Sequence, residues 1–265
     1  MILCPNAKIN LGLEVVRRRP DGFHDIESVF LPVPELCDVL DVVHADKAEL
    51  TVYGTPCDVP PEKNLCFKAF RLMQREFGIG DVHIFLYKKI PMGAGLGGGS
   101  SDAAFTLVAL NEIFQLGLGR ERLASLAATL GSDCPFFIYN RPMLATGRGE
   151  ILTPVELDMT PYRVEVVTPG IHISTPEAYA GVDAIKDLST SLEMTKGPIE
   201  KTKSITARLS HPISTWRENV VNDFEAFAFA KYPILADIKQ QLYTRGAIYA
   251  SMTGSGSAIY GIFKK

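Results

Sequence analysis

The sequence lacks the cysteine patterns that mark disulfide frameworks and zinc sites. Its cysteines are odd in number, widely scattered and free of any CxxC pair: Cys4, Cys37, Cys57, Cys66 and Cys134. Disulfide-rich secreted domains and zinc ribbons instead place cysteines at short, regular spacings. The pattern therefore indicates neither class, and we expect a reduced, cytoplasmic protein.

Long apolar runs and an excess of positive charge are missing as well. No uninterrupted apolar stretch approaches the roughly 18 residues needed to cross a bilayer, and Lys8, Glu14 and residues 17–19 bring charge into the first part of the chain. We therefore expect no signal peptide or membrane anchor. The formal net charge is −3 and the pI is near 6.0, so no chain-wide cationic field attracts nucleic acid or an anionic membrane.

The composition, with 46% hydrophobic and 22% charged residues, is ordinary for a globular chain with a substantial core. Apolar alternation predicts strands, and apolar residues at helical spacing predict helices. The predicted strands cover residues 7–16, 28–33, 38–43, 83–89, 134–139, 162–167 and two stretches within 247–263. The predicted helices cover residues 64–77, 101–114, 120–130, 224–229 and 234–243. Residues 183–212 are expected to be loops around a short helix, and the proline-bounded segment 153–161 is the predicted domain boundary.

Residues 91–104 form the most informative stretch, a glycine-rich run between a predicted strand and a predicted helix. Five glycines occur within the seven residues 93–99. Glycine costs about 1 kcal/mol against alanine in regular structure, so this density needs a conformational reason. Glycines let the backbone approach a ligand, and the helix that follows offers unpaired N–H groups and the positive end of its dipole. The run therefore predicts a phosphate cradle, whereas an isolated GxG would more often be a flexible loop.

This cradle differs from the two best-known phosphate loops. A P-loop needs a lysine after its last glycine, where this run has Ser100. A dinucleotide fingerprint needs an N-terminal βαβ unit, and none surrounds the run. The run, PMGAGLGGGSSDAA, instead resembles the second motif, PxGxGLGSSxA, of the GHMP kinases, which include galactokinase and the homoserine, mevalonate and phosphomevalonate kinases. Residues 5–11 (PNAKINL) and 252–261 (MTGSGSAIYG) resemble the first and third motifs of that family, in the expected order.

The resemblance implies an α+β protein with the two-domain GHMP kinase fold. Residues 1–152 would form a ribosomal protein S5 domain 2-like N-terminal domain that carries the ATP-binding loop, and residues 153–265 a ferredoxin-like C-terminal domain. ATP would donate the phosphoryl group, Mg²⁺ would be the bridging ion, and the active site would lie between the domains. The metal ligands stay open, with the hydroxyl of Ser100 or Ser101 as a candidate. The implied ATP-binding residues are Asn64, Pro91, Met92, Gly93, Ala94, Gly95, Leu96, Gly97, Gly98, Gly99, Ser100 and Ser101.

Within the family, the similarity is greatest to members that phosphorylate the 2-hydroxyl of a cytidine-diphosphate-linked methylerythritol, in the non-mevalonate route to isoprenoid precursors. The segments that carry it are residues 7–11, 19–24, 95–103, 132–137 and 145–150. The resemblance implies that Phe23, His24 and Tyr179 lie at the cytosine ring. It also implies that Asn10 contacts the methylerythritol hydroxyls and that Thr175 contacts the substrate.

Lys8 and Asp133 are the catalytic pair that the resemblance implies, since spacing alone could not join residues so far apart. Phosphoryl transfer to an alcohol depends on charge neutralisation and on a correctly placed hydroxyl. A carboxylate can accept the hydroxyl proton, and an ammonium group can stabilise the charge that develops at the reacting centre. Without the resemblance, Lys8 would more often be an edge or surface lysine, and Asp133 a turn residue.

The other candidates also have ordinary structural interpretations. His24 would serve as a loop histidine, Tyr179 as a packing residue and Asn64 as a helix N-cap. Two positions depart from the family pattern. Phe23 stands where tyrosine is usual, which keeps stacking and loses a hydrogen bond. Ala94 stands where glycine is common, which is tolerable if its φ is negative.

Two other functions stay open at this point. The first is another GHMP kinase, of the homoserine or mevalonate type, or the related ATP-dependent decarboxylase, although residues 20–24 (PDGFH) suit a cytidine site better. The second is a catalytically silent ligand sensor on the same fold, which the presence of both Lys8 and Asp133 disfavours. We expect a small-molecule substrate, no nucleic-acid or membrane partner, and a monomer or weak homodimer.

Overall fold

The computed structural model describes residues 1–55, 59–192 and 204–265. Cys57 and residues 193–203, part of the segment predicted to be mostly loops, lie outside the described residues. The chain divides into two compact units. Unit 1 contains Met1–Lys8, Pro32–Met92 and Leu96–Arg141, and unit 2 contains Ile9–Leu31, Gly93–Gly95 and Pro142–Lys265. The domain boundary predicted at residues 152 and 153 stays a prediction.

Strands and helices are mixed along the chain, so the predicted α+β class is confirmed. No helix within the described ranges is both long and apolar enough to cross a membrane. In chain order the elements are β1 (Ile2–Leu3), β2 (Asn6–Arg18), β3 (His24–Cys37), β4 (Val39–His44), β5 (Glu49–Gly54), α1 (Leu65–Phe77), β6 (Val82–Lys88), α2 (Gly98–Ile113), α3 (Arg120–Ala128), α4 (Cys134–Tyr139), β7 (Met143–Thr146), β8 (Ile151–Pro154), β9 (Tyr162–Val167), α5 (Thr175–Leu192), α6 (Ile205–Leu209), α7 (Trp216–Asn219), α8 (Phe224–Lys231), α9 (Pro233–Thr244), β10 (Tyr249–Met252) and β11 (Ile259–Lys264).

Unit 1 contains a mixed sheet in the order β1-β4-β6-β5, in which β5 runs parallel to β6 and the other neighbours are antiparallel. Helix α2 packs against β4 and against helices α1 and α4. Helix α1 forms where it was predicted because both of its ends are well defined. Asn64 Oδ1 accepts the N–H of Cys66 at 2.9 Å, and Gly78 ends the helix in the left-handed conformation with a φ of 64°.

Residues 134–139 were predicted as a strand, and that prediction is wrong because they form helix α4. The residues from Cys134 to Ile138 are all buried, so the segment is apolar on every side and has no helical periodicity to detect. Pro135 stands in the first turn, where its missing N–H has no intrahelical partner to lose, and Asn140 ends the helix with a positive φ. The helix can be recognised from the residues at its ends, Pro135 and Asn140, but not from its apolar pattern.

A buried ion cluster connects β4, β6 and α2 within unit 1. Lys88, at the end of β6, donates from Nζ to Asp38 and, at 2.6 Å, to Asp102 Oδ2 in the second turn of α2. Asp38 Oδ1 also accepts the N–H groups of Lys89 at 2.5 Å and Ile90 at 2.8 Å. The side chains of Lys88, Asp38 and Asp102 are only 3%, 0% and 3% exposed. The end of β6 and the start of α2 are therefore tied to the same ammonium group.

The cluster holds two carboxyl groups for one ammonium group. Burial raises the pKa of Asp102, and the nearby Asp38 raises it further, while Lys88 opposes the shift. Burial lowers the pKa of Lys88, but the two carboxylates outweigh burial and leave it above its ordinary value. Because its pKa is raised, Lys88 is held in its charged form. Removal of its ammonium group would leave two buried carboxyl groups without a counter-charge.

We predict that Lys88→Met destabilises the protein by about 3–5 kcal/mol, the range measured when one partner of a buried ion pair is removed. Lys89→Met is the matched control, because Lys89 is the next residue and is exposed. Urea unfolding followed by circular dichroism gives both free energies of unfolding. Equal effects of the two substitutions would contradict the structural role of the cluster.

Unit 2 contains one complete sheet and the larger part of a second. Strands β10, β11 and β9 form an antiparallel sheet in that order, and a second sheet has the order β2-β3-β7-β8. Strands β7 and β8 were not predicted. Helix α9 packs on β10 and β11, and helix α8 packs against α5 and α9. The core between these elements is apolar and includes Leu13, Val15, Ile26, Val182, Phe224, Leu235, Leu242 and Ile259.

Helix α5 was not predicted from the sequence. It covers Thr175–Leu192, so the prediction of a loop from residue 183 is wrong up to residue 192. Ala178 and Val182 are buried four residues apart and anchor its first turns in the core. Beyond them the sequence turns to Ser and Thr, which are weak helix formers and hide the helix from pattern analysis. The short helix expected in this region corresponds to α6.

Candidate active site

The glycine run adopts conformations that other residues avoid. Gly93, Gly95 and Gly97 have φ values of 67°, 78° and 71°, in the left-handed region. At Gly97 an added Cβ would lie 2.9 Å from Phe137 Cζ and 3.2 Å from Lys8 Cγ, both in unit 1. Ala94, the departure from the family pattern, is not among the described residues with positive φ, so its methyl group is tolerated. The density of glycine in this run therefore has a conformational cause.

The first turn of α2 presents backbone N–H groups without a side-chain cap. Its N-cap is Gly97, which has no side chain to accept a hydrogen bond. Ser101 donates its N–H to Gly97 O at 2.9 Å, so the N–H groups of Gly98, Gly99 and Ser100 are those left outside the helical pattern. Such a turn, at the positive end of a helix, fits an anionic phosphate group.

The remaining residues of the run differ in their access to a ligand. Met92 is 48% exposed, Leu96 is buried, and Pro91 is partly buried. Ser101 is fully buried, and its hydroxyl has no hydrogen-bond partner among the residues that the structure describes. Ser100 is partly exposed and is therefore the better placed of the two hydroxyls to reach a ligand. Asn64 uses its Oδ1 as the N-cap of α1, the structural role that the sequence also allowed.

Lys8 and Asp133, the predicted catalytic pair, lie together in unit 1. Lys8 Nζ is 3.6 Å from Asp133 Oδ2, and the Lys8 backbone N–H donates to Leu96 O at 2.9 Å. Lys8 is buried in β2, whereas the Asp133 side chain, at the start of α4, is 33% exposed. Burial lowers the pKa of Lys8, and the charge and hydrogen bond of Asp133 oppose this shift. The arrangement places a carboxylate that solvent or a ligand can reach beside a desolvated amine.

His24 and Tyr179, two of the predicted cytosine contacts, are stacked on each other in unit 2. Their ring centroids are 4.5 Å apart and the planes differ by 12°. This spacing leaves no room for a third ring between them. His24 Nε2 lies 2.9 Å from Asp183 Oδ1, and His24 is 7% exposed. Phe23, the third contact, is 54% exposed and has the guanidinium carbon of Arg148 4.9 Å from its ring centroid.

Asn10 and Thr175 have different surroundings in unit 2. Asn10 is 1% exposed, its Nδ2 donates to Ser28 Oγ at 2.8 Å, and its Oδ1 accepts from Thr253 Oγ1 at 3.2 Å. Its side chain therefore joins the first motif to the third. Thr175 is exposed at the start of α5, with its Oγ1 3.4 Å from Ser255 Oγ.

Several residues that shape these sites were missed by the sequence analysis. Asp102 is followed by the apolar residues 103–105 of a helix, and Lys88 occupies an inward position of an alternating strand. Both placements signal a buried charge. Asp183 follows Tyr179 by four residues, the helical spacing that puts both on one face. That signal was lost because the segment was predicted as a loop.

Comparison with known proteins agrees with the motifs. The model of the GHMP kinases N terminal domain matches residues 64–141, and the model of the GHMP kinases C terminal domain matches residues 207–265, together more than half of the chain. The chain belongs to the GHMP kinase family and is an ATP-dependent phosphotransferase.

Individual relatives are similar along the whole chain. The 4-diphosphocytidyl-2-C-methyl-D-erythritol kinase of Azobacteroides pseudotrichonymphae is 48% identical over 265 residues, which cover all of this chain and 94% of the relative. The kinase of the same name from Bacteroides thetaiotaomicron is 44% identical and covers all of this chain and 92% of the relative. A crystal structure of 4-(cytidine 5'-diphospho)-2C-methyl-D-erythritol kinase matches with a TM-score of 0.78 and 35% identity, over 98% of this chain and 89% of that one.

More distant structures share the fold. A crystal structure of mevalonate kinase matches with a TM-score of 0.70 at 14% identity, over all of this chain and 91% of that one. At this identity the similarity shows the fold alone, so the predicted two-domain GHMP kinase fold is confirmed.

We predict that Gly97→Ala costs about 1–2 kcal/mol for the left-handed conformation alone, and more through contact with Phe137 and Lys8. It should also weaken ATP binding by about tenfold or more, which corresponds to roughly 1.4 kcal/mol. At Gly99 an added Cβ meets Leu65 Cδ1 at 3.9 Å, and φ is not positive, so Gly99→Ala within α2 should leave the unfolding midpoint unchanged or raise it. Thermal unfolding and titration calorimetry with ATP measure these effects, and equal unfolding midpoints for both variants would rule out the steric explanation.

Proposed function

We propose that this kinase transfers the γ-phosphoryl group of ATP to the 2-hydroxyl of 4-diphosphocytidyl-2-C-methyl-D-erythritol, a step towards isoprenoid precursors. One observation carries the proposal: the ion pair of Lys8 and Asp133 stands beside the glycine run, in a chain that matches kinases of that name over its full length. Both residues come from segments through which the sequence resembles those kinases.

Asp133 is the proposed general base. Its carboxylate is partly exposed and accepts the proton of the substrate hydroxyl as that oxygen attacks phosphorus. Lys8, 3.6 Å away, remains at the reacting centre and stabilises the negative charge that develops there. The Lys8 backbone is held by Leu96 O, so the amine is positioned before the substrate arrives. Positioning and charge supply most of the catalysis in phosphoryl transfer.

The backbone of the glycine run is the proposed site of the ATP phosphates. The N–H groups of Gly98, Gly99 and Ser100 donate to phosphate oxygens, and the glycines before them let those oxygens approach the backbone. We further propose that Mg²⁺ would accompany ATP and would supply positive charge that offsets the charge of the phosphates. Among the described residues no group of three or more His, Cys, Asp or Glu side chains is arranged to hold a metal ion. Of the two hydroxyls in the run, Ser100 Oγ is the one that could assist, because it is partly exposed.

The cytidine end of the substrate is proposed to bind in unit 2. His24 supplies a polar contact to the base, and Phe23 offers an exposed ring for stacking. Tyr179 acts through His24, because its stacked ring holds the imidazole in place. Thr175 is exposed and can contact the substrate directly, whereas Asn10 is buried and organises the surrounding backbone.

We predict that Asp133→Asn and Lys8→Ala each lower kcat by about 100-fold or more, the usual cost of losing one such electrostatic group. Asp46→Asn and Lys47→Ala make the same chemical changes at exposed positions of unit 1 and should leave kcat unchanged. A coupled ADP-release assay on the cytidine-diphosphate substrate, with homoserine and mevalonate as competing acceptors, tests the function itself. Turnover of homoserine or mevalonate in preference to the cytidine substrate would refute it.

We also predict that Tyr179→Ala and His24→Ala raise the KM for the cytidine substrate by about tenfold, as expected for the loss of one hydrogen bond or stacking contact. The KM for ATP should not change. His211→Ala, at an exposed position of unit 2, is the control for loss of an imidazole. A parallel rise in both KM values would mean that the two residues serve the fold and not the base.

A further inference from the structure

The imidazole of His24 is held by two side chains of one helix. Tyr179 and Asp183 are four residues apart on α5, so they lie one above the other on the same face. The Tyr179 ring is stacked on the imidazole, and Asp183 Oδ1 and Oδ2 lie 2.9 Å and 3.1 Å from Nε2. The stack sets the plane of the imidazole, and the carboxylate sets its rotation within that plane.

Asp183 also determines which nitrogen of His24 carries the proton. An ionised carboxylate has only acceptors, so the nitrogen that faces it must donate. Nε2 therefore carries hydrogen. In the neutral imidazole the other nitrogen, Nδ1, is then an acceptor, because the hydrogen bond of one ring nitrogen fixes the state of the other.

The acceptor at Nδ1 is available to a ligand. No described residue forms a hydrogen bond with Nδ1, since both hydrogen bonds of the His24 ring involve Nε2. Nδ1 is also not among the fully buried side-chain atoms that lack a partner. The rest of His24 is enclosed, with 7% of the residue exposed. A hydrogen bond to Nδ1 would form in partly dry surroundings, where a mismatch is costly.

An acceptor at this point distinguishes cytosine from uracil. Cytosine carries an exocyclic amine that donates, whereas the corresponding group of uracil is a carbonyl oxygen that only accepts. The amine can donate to Nδ1, and the carbonyl would face another acceptor and leave both groups unpaired. We propose that Asp183, acting through His24, is a positioning residue that selects a cytidine substrate over its uridine analogue. This inference rests on the cytidine substrate proposed above.

If Asp183 only held the fold together, its loss would not change the preference between cytidine and uridine. Loss of a link between α5 and β3 would lower stability or weaken every substrate alike. Loss of the tautomer lock would change the preference between two bases that have the same size and stack alike. The test therefore needs two measurements: which ring nitrogen of His24 carries the proton, and the ratio of kcat/KM for the cytidine substrate to that for its uridine analogue.

The proton is located by long-range ¹H–¹⁵N correlation spectra of the ¹⁵N-labelled protein at pH 8. The chain has five histidines, and His24→Gln identifies the signals of His24 by their loss. We expect wild-type His24 to carry its proton on Nε2, with Nδ1 unprotonated. In Asp183→Asn, whose amide can donate as well as accept, the second tautomer should appear. Glu177→Gln is the control, because it changes a carboxylate to an amide on the same helix, in an ion pair with Lys231.

The base preference is the ratio of kcat/KM for the cytidine substrate to that for its uridine analogue. Asp183→Asn and Asp183→Ala should lower this ratio by about tenfold, the scale of one hydrogen bond, with the KM for ATP unchanged. Asp183→Glu keeps the carboxylate and should retain more of the preference, and Glu177→Gln should retain all of it.

Three results would overturn the inference: a wild-type His24 protonated on Nδ1, a His24 spectrum unchanged in Asp183→Asn, or an unchanged ratio in both Asp183→Asn and Asp183→Ala. Failure of the proposed function has a different signature. The wild type would then phosphorylate neither the cytidine substrate nor its uridine analogue. In that case the proposed selection between the two would also be wrong. The spectra would still decide whether Asp183 sets the proton of His24.

Discussion

The geometry of the glycine run depends on the buried ammonium group of Lys88. The run follows β6 and leads into α2, and Lys88 binds carboxylates on both sides of it, Asp38 beside the end of β6 and Asp102 in the second turn of α2. Glycine has more backbone freedom than any other residue, so a glycine-rich loop loses much entropy when it is ordered. Fixing both ends reduces the number of conformations that remain. The glycines make the required backbone angles possible, and the ion cluster restricts the chain to them.

A second set of contacts organises the other part of the run. Thr253, in the third motif, donates from Oγ1 to Gly95 O at 3.2 Å, and Ala258 donates its N–H to Ala94 O at 3.2 Å. Asn10, in the first motif, accepts from the same hydroxyl, and its own carbonyl accepts from Tyr260 at 2.7 Å. The three motifs that carry the family resemblance thus meet through buried hydrogen bonds in unit 2. Many polar groups of these motifs form hydrogen bonds with the backbone, and only some of them remain to contact a ligand.

Local signals decided how much of this structure could be predicted. Helix α1 and the strands β10 and β11 were predicted because apolar spacing, a cap or a turn marks each of them in sequence. Helix α4 was missed because a short segment that is buried on all sides looks the same as a helix or a strand. Helix α5 was missed because its second half ends in Ser and Thr residues of weak helix propensity.

The candidate active site could likewise be predicted only in part. The glycine run could be interpreted from its own composition, but the pairing of Lys8 with Asp133 came only from the resemblance to a family. The contacts of Lys88 with Asp38 and of His24 with Asp183 join residues 50 and 159 positions apart. No periodicity or spacing rule connects residues at such distances. Charged residues at inward positions of a strand or helix were the one available sign that partners existed.

The division of the chain into units has a consequence for any attempt to work with pieces of it. Unit 2 is not a contiguous stretch of sequence, because it takes Ile9–Leu31 from near the N-terminus and Gly93–Gly95 from the middle. Leu13, Val15 and Ile26 belong to its apolar core, together with residues more than 150 positions later, such as Val182 and Phe224. A fragment that begins at Pro142 would expose the apolar surface that those three side chains cover. Its core would have to be completed by a separately supplied N-terminal peptide.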